Sequence, residues 1–134
     1  MATTVTLATD QDAEKASAFM CNTPDNLLDP DVVQYPSLRT LKVEIAGEPV
    51  LFAPFHPVFC VESLAHKPNI RPRENAYALR KLQDALDELA KAYGIKEIYW
   101  MCKDKTLIDF VCPKDNPSKY GYEVVPFAVL RKKV

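Results

Sequence analysis

Leu79, Leu82, Leu86, Leu89 and Tyr93 recur at spacings of 3, 4, 3 and 4 residues. That rhythm follows one stripe of an α-helix and fits no strand period. Arg80, Lys81, Asp84, Asp87, Glu88 and Lys91 lie between them and make a solvated face, with Asp87 and Lys91 spaced as an acid-before-base i,i+4 pair. Pro72 precedes the periodic run and cannot sit in a helix interior. Gly94 follows it and can take the left-handed conformation that ends a helix. The spacing therefore predicts a helix over Arg73–Tyr93, about 30 Å long, enough to cross a small domain. The flanking strands must pack against its stripe. A Pro- and Arg-rich loop, HKPNIRPR over residues 66–73, runs straight into it.

What surrounds this helix is bounded by size and charge. With 134 residues, a single domain with its own core is expected over residues 1–134. A net charge of −1 provides no basic field for nucleic acid or a membrane surface. Arg131, Lys132 and Lys133 read as a solvated basic end. No apolar run reaches the length of a membrane span, and MATTVTLATD does not read as a signal peptide, so synthesis in the cytosol is expected. Cys21, Cys60, Cys102 and Cys112 are scattered without a Cys-x-x-Cys pair, and the chain has two histidines. No metal centre is expected, and reduced, mostly buried thiols are. Eleven prolines against three glycines imply defined rather than flexible connections.

In chain order, Thr3–Ala8 alternates as a strand, and Thr9 or Asp10 can cap a helix over about Gln11–Cys21. Asn26–Tyr35 reads as a second short helix. Leu41–Ala46 is a strand, Gly47-Glu48 a turn, and Pro49–Phe55 the antiparallel partner. Val58–Ala65 is a further strand, followed by the long helix. Ile95–Cys102 is an apolar strand buried on both faces. Lys105–Cys112 makes a short helix with Leu107, Ile108 and Val111 on one side, and Pro113–Lys119 a loop. Tyr122–Leu130 is a final strand or hairpin interrupted by Pro126, which points to an edge or a bulge. The order β-α-α-β-β-β-α-β-α-β defines an α/β chain with a mixed sheet flanked by helices. Its strand–helix–strand crossover places a ligand where the Val58–Ala65 strand meets the long helix.

This order, with its strand–Arg loop–helix unit, resembles the GNAT acyl-CoA N-acyltransferase fold over nearly the whole chain. The family opens its long helix with an Arg or Gln, two variable residues, Gly, one variable residue, then Gly or Ala, and holds the CoA pyrophosphate on the backbone N–H groups there. Two registers fit. With Pro68 and Arg71 matched, the Gly positions fall on Glu74 and Ala76. With Arg73 matched, they fall on Ala76 and Ala78. Neither restores the first glycine. Alanine adds a methyl group at the phosphate contact, and glutamate adds a charge of the wrong sign. The resemblance thus implies acetyl-CoA contacts at Arg71, Arg73, Glu74, Asn75, Ala76 and Ala78, with Arg71 and Arg73 as the positive charges.

For chemistry, the resemblance implies a base on the strand before the loop, which is Glu62, with His66 at that strand's end as an alternative. The family's Asn at the start of the last helix falls on Asp104 here, and the Tyr seven residues later falls on Val111, which cannot donate a proton. Tyr120 reaches back only if the Pro113–Lys119 loop folds over. Gly121-Tyr122 is similar to the family's pair before its last strands. There is no P-loop, Gly-x-Ser-x-Gly elbow or His-Glu-x-x-His helix. Cys60 and His66 are too far apart along an extended strand, about 20 Å, for a nucleophile pair.

Three readings stand. One is a catalytically degenerate GNAT-like module that binds a protein partner or assembly, similar to the small GNAT-like virion or morphogenesis components of tailed bacteriophages. An exposed apolar patch around Phe52, Phe55, Pro57 and Phe59 would favour it. The second is an active acetyl-CoA-dependent N-acetyltransferase. The third is an acyl-CoA-binding domain without transfer.

Overall fold

The computed structural model describes residues 2–23, 35–62, 64–126 and 128–134. The expected helix over Asn26–Tyr35 lies almost wholly outside them. The chain is a mixed α/β structure with one antiparallel and one parallel sheet. Strand β1 (Thr3–Leu7) leads through a 3-10 turn at Asp10–Asp12 into helix α1 (Ala13–Asn22). Strands β2 (Arg39–Ile45), β3 (Glu48–Phe55) and β4 (Phe59–Val61) follow, then helix α2 (Pro72–Tyr93), strand β5 (Ile98–Trp100) and helix α3 (Lys105–Val111). Contacts gather into two units, residues 1–60 with 66–99, and residues 61–65 with 100–134.

In the first unit β1, β2 and β3 form an antiparallel sheet in that order. Its hairpin turns at Ala46 and Gly47, with φ of 53° and 81°. The sequence pointed to Gly47-Glu48 instead. A two-residue turn that matches strand twist needs positive φ at both central residues. That moves the turn back one residue and puts Ala46 in a region L-residues avoid. Pro49 and Pro54 are accommodated because β3 is an edge strand. Val43 faces Leu51 while Glu44 faces Pro49, so Val50 is an extra residue and β3 bulges there.

Residues directly opposite in an antiparallel ladder share a face. One face carries Thr6, Lys42 and Phe52 in one row and Thr4, Glu44 and Pro49 in the next. The α1 segment meets this face: the Phe19 and Phe52 rings lie edge to face at 5.3 Å, and Lys42 Nζ is 3.1 Å from Asp12 Oδ1. Lys42 also pairs with Glu44 at 2.7 Å. These bonds hold the Lys42 ammonium above its usual pKa, Glu44 first and Asp12 second. The Asp12 carboxyl is held low, chiefly by the Thr9 backbone N–H at 2.8 Å. The other face carries Val5, Val43 and Leu51, then Leu7, Leu41 and Ala53, with Phe55 beyond.

The long helix has the expected ends. Pro72 takes the first helical position, where its missing N–H costs nothing. Gly94 closes the helix at φ 68°, its N–H reaching the Ala90 and Lys91 carbonyls. The buried side is rotated from the leucine stripe, however. Leu79, Gln83 and Ala90 are buried and Leu86 is half-buried, whereas Leu89 and Tyr93 are 47% and 71% exposed. Positions 79, 83, 86 and 90 keep helical spacing, but counting only large apolar residues misses Gln83 and Ala90. Lys91 pairs with Glu88 at 3.8 Å, not with Asp87. Both side chains are exposed, so the local choice matters little.

Strands β4 and β5 are shorter than the expected Val58–Ala65 and Ile95–Cys102. The Phe59 N–H donates to the Glu97 carbonyl and the Met101 N–H to the Val61 carbonyl, numbers rising together along both strands as in a parallel pair. Among the described residues the ladder ends at Val61 and Met101. Tyr122–Leu130 does not form the expected strand among its described residues. Pro126 removes a donor there, and Val124, Val129 and Leu130 are 73%, 53% and 94% exposed. The thiols are not mostly buried as expected: Cys21 on α1 and Cys60 on β4 are exposed, and Cys102 and Cys112 are half-buried.

Candidate functional site at the start of the long helix

Asn69, in the left-handed region at φ 58°, turns the loop toward Arg71, which precedes α2 with extended backbone. No side chain caps this helix start. The one acid of its first turn, Glu74, is engaged elsewhere. Arg71 Nε donates to Glu74 Oε1, and Lys67 Nζ lies 2.9 Å from Glu74 Oε2. Each carboxylate oxygen thus holds one cation of the loop. The Arg71 guanidinium first, and the Lys67 ammonium second, keep the Glu74 carboxyl below its usual range. Asn75 N–H donates to the Arg71 carbonyl at 2.9 Å, the ordinary helical bond. Arg73 and Ala78 are exposed, and Ala76 is half-buried.

The structure therefore brings Arg71 and Glu74 together, with Lys67 as a third member that the family's motif does not mark. An anionic pyrophosphate fits this arrangement badly. Pro72 has no N–H to offer, Glu74 carries negative charge at the third helical position, and two of the three nearby cations are paired with it rather than free. No catalytic step through a coenzyme is derived from these residues.

The two expected bases are both exposed. Glu62 is exposed and lies just past the end of β4 rather than on a strand. His66 is exposed and also lies beyond the strand, its Nδ1 3.3 Å from the Lys67 carbonyl. In the second unit Asp104 caps α3 by accepting the Thr106 N–H at 2.8 Å, and Val111 is a buried packing residue. The 113–119 loop does fold back: the Tyr120 ring stacks on Phe110 at 5.6 Å, and Lys119 Nζ lies 5.3 Å from the Tyr120 ring centre. Trp100 Nε1 donates to the Tyr122 hydroxyl at 2.9 Å. Burial first, then Asp104 and Cys112, pushes the Cys102 thiol up, which disfavours the reactive thiolate.

A second polar cluster in the first unit went unseen in the sequence. His56 Nε2 lies 2.9 Å from Glu97 Oε2, Tyr99 donates to Glu97 Oε1 at 3.1 Å, and the Tyr35 ring meets His56 edge-on at 5.3 Å. His56 and Glu97 are far apart in sequence, so no local spacing announces them. Pro57 carbonyl faces His56 Nδ1 at 3.3 Å. Among the described residues Glu97 Oε2 makes no hydrogen bond, so the His56–Glu97 approach is a charge-distance contact between the end of the β2–β3 hairpin and the approach to β5. Among the described residues no cluster of three or more potential metal ligands occurs, and no helix is long and apolar enough to cross a membrane.

No protein-family model matches the chain, and no curated protein matches it. Solved structures similar to the chain include two acetyltransferases. One is AAC(6')-Iy in complex with the bisubstrate analog CoA-S-monomethyl-acetylneamine, at 14% identity and a TM-score of 0.39, covering 100% of this chain and 99% of that one. The other is a ribosomal-protein-alanine N-acetyltransferase from Brucella melitensis biovar Abortus 2308, at 15% identity and a TM-score of 0.34, covering 99% and 100%.

Proposed function

We propose that this chain is a GNAT-like domain with a degenerate acyl-CoA loop, and that it acts as a structural or protein-binding module, as in a virion or other assembly. The observation that carries this reading is Glu74. In the register that matches Arg71 it stands where the family's pattern has its first glycine, and it engages Arg71 and Lys67 at once. A phosphate approaching α2 meets a carboxylate rather than a free cationic cradle. The burial of Val111, which has no proton to donate, and the exposure of Glu62 and His66 support the same reading. On this account the chain is made in the cytosol and needs no cofactor.

Titration calorimetry of acetyl-CoA and of CoA into the purified chain tests it. The expected result is no heat and no thermal shift at millimolar ligand. Micromolar binding that disappears in an Arg71→Ala, Arg73→Ala double variant would instead make the loop a working acyl-CoA site. An amine-acceptor screen with Glu62→Gln would then decide between transfer and simple binding.

A further inference from the structure

The two faces of the β1–β2–β3 sheet are occupied differently. The face bearing Lys42, Glu44 and Phe52 meets α1. The opposite face bears Val5, Leu7, Leu41, Val43, Leu51, Ala53 and Phe55 in aligned rows, with no charged residue in the two central rows. It is substantially open: Val5 is 60% exposed, Leu7 55%, Leu51 50%, Phe55 47% and Leu41 38%. Together these side chains expose roughly 500 Å², the size of the largest apolar patch on a typical monomer, which is often a functional surface.

We propose that this face is a homodimer interface, with the sheet of one copy packed on the sheet of a second. The argument is one of area and shape. A strand face with aligned apolar rows is complementary to itself under a two-fold axis, so each residue meets its counterparts without a new surface being required. Two copies would bury about 1,000 Å² in total, which reaches the lower bound of specific interfaces and exceeds most incidental contacts. The sheets would stack about 10 Å apart with interdigitated side chains, as in a sandwich. The open edge of β1 lies beside the patch and places no charged side chain on this face, since Thr3, Val5 and Leu7 are its members.

This inference deepens the binding-module reading by naming the partner, and its test is independent of acyl-CoA. Sedimentation equilibrium of the full chain, from low to several hundred micromolar, reads its mass. A mass rising to twice 15.1 kDa supports the proposal. A Val5→Lys, Leu51→Lys double variant should then raise the dissociation constant at least about a hundredfold. Both residues are solvent-exposed, so the variant's circular dichroism should match that of the parent. Leu89→Lys, at an exposed position on α2, should leave the dimer intact. A monomer at every concentration would overturn the proposal, as would a dimer that survives the double variant. Acyl-CoA binding by a dimeric chain would overturn the degenerate-loop reading alone.

Discussion

Helices α2 and α3 both begin beside an acidic residue, and they use it in opposite ways. At α3, Asp104 turns onto its own backbone and accepts the Thr106 N–H at 2.8 Å. At α2, Glu74 gives its carboxylate chiefly to the Arg71 and Lys67 side chains, with the Arg71 backbone N–H a smaller contributor. The first arrangement satisfies a helix end. The second mainly ties down two cations of the loop. Which of the two an acid adopts depends on its neighbours: Asp104 stands two residues before the N–H it caps, whereas Glu74 lies inside the first turn, with an arginine three residues earlier and a lysine reaching in from the loop.

This contrast holds only if both helices are anchored by their buried faces and differ in what their first acid does. The largest expected effects concern the anchors. Leu79→Ala should destabilise the chain by about 2–4 kcal/mol and Val111→Ala by about 1–3 kcal/mol, read from chemical denaturation. Near-neutral values at either position would detach that helix from its packing and dissolve the comparison. The caps come next. Asp104→Ala should cost about 1 kcal/mol through the lost Thr106 bond. Arg71→Ala, which removes no cap, should stay within about 0.5 kcal/mol. Equal costs would mean that the two helix starts are alike after all.

The smallest effect is one of pH. Because Arg71 and Lys67 lower the folded-state pKa of Glu74, its contribution is fully present above the ordinary glutamate value of 4.5 and is lost as pH falls through the depressed folded value. The stability difference between the parent chain and Glu74→Gln should therefore be constant near neutrality and shrink in acid below that range. Glu74 is well solvated, so the difference is small throughout. A difference that grows on acidification would mean that the ion pairs do not form in solution.

Much of this was legible from residues alone. Pro72 and Gly94 marked the ends of α2, because proline and glycine each have one strong reason to stand there. The alternation in residues 41–55 marked the hairpin, though the positive φ of Ala46 shifted its turn. The buried side of α2 was harder to read, since a small Ala90 and a polar Gln83 can lie inward when their surroundings close over them. Tyr122–Leu130 carried a strand's composition without a partner strand, and pairing is what makes a strand. At the candidate site, Glu74 was visible as the wrong residue at a glycine position in one of the two registers. That it captures Lys67 as well as Arg71 depends on the loop's path through Asn69, which no spacing rule describes. The His56–Glu97 pair joins distant segments and leaves no local trace.

The most direct test of the account is a paired calorimetric titration of acetyl-CoA into the parent chain and into Glu74→Gln. If Glu74 closes the loop, the parent gives no heat at millimolar ligand, while the variant, with Arg71 and Lys67 released, binds at least about tenfold more tightly. Micromolar binding by the parent, undiminished or weakened in Glu74→Gln, would show that the carboxylate belongs to a working acyl-CoA site and would contradict the account.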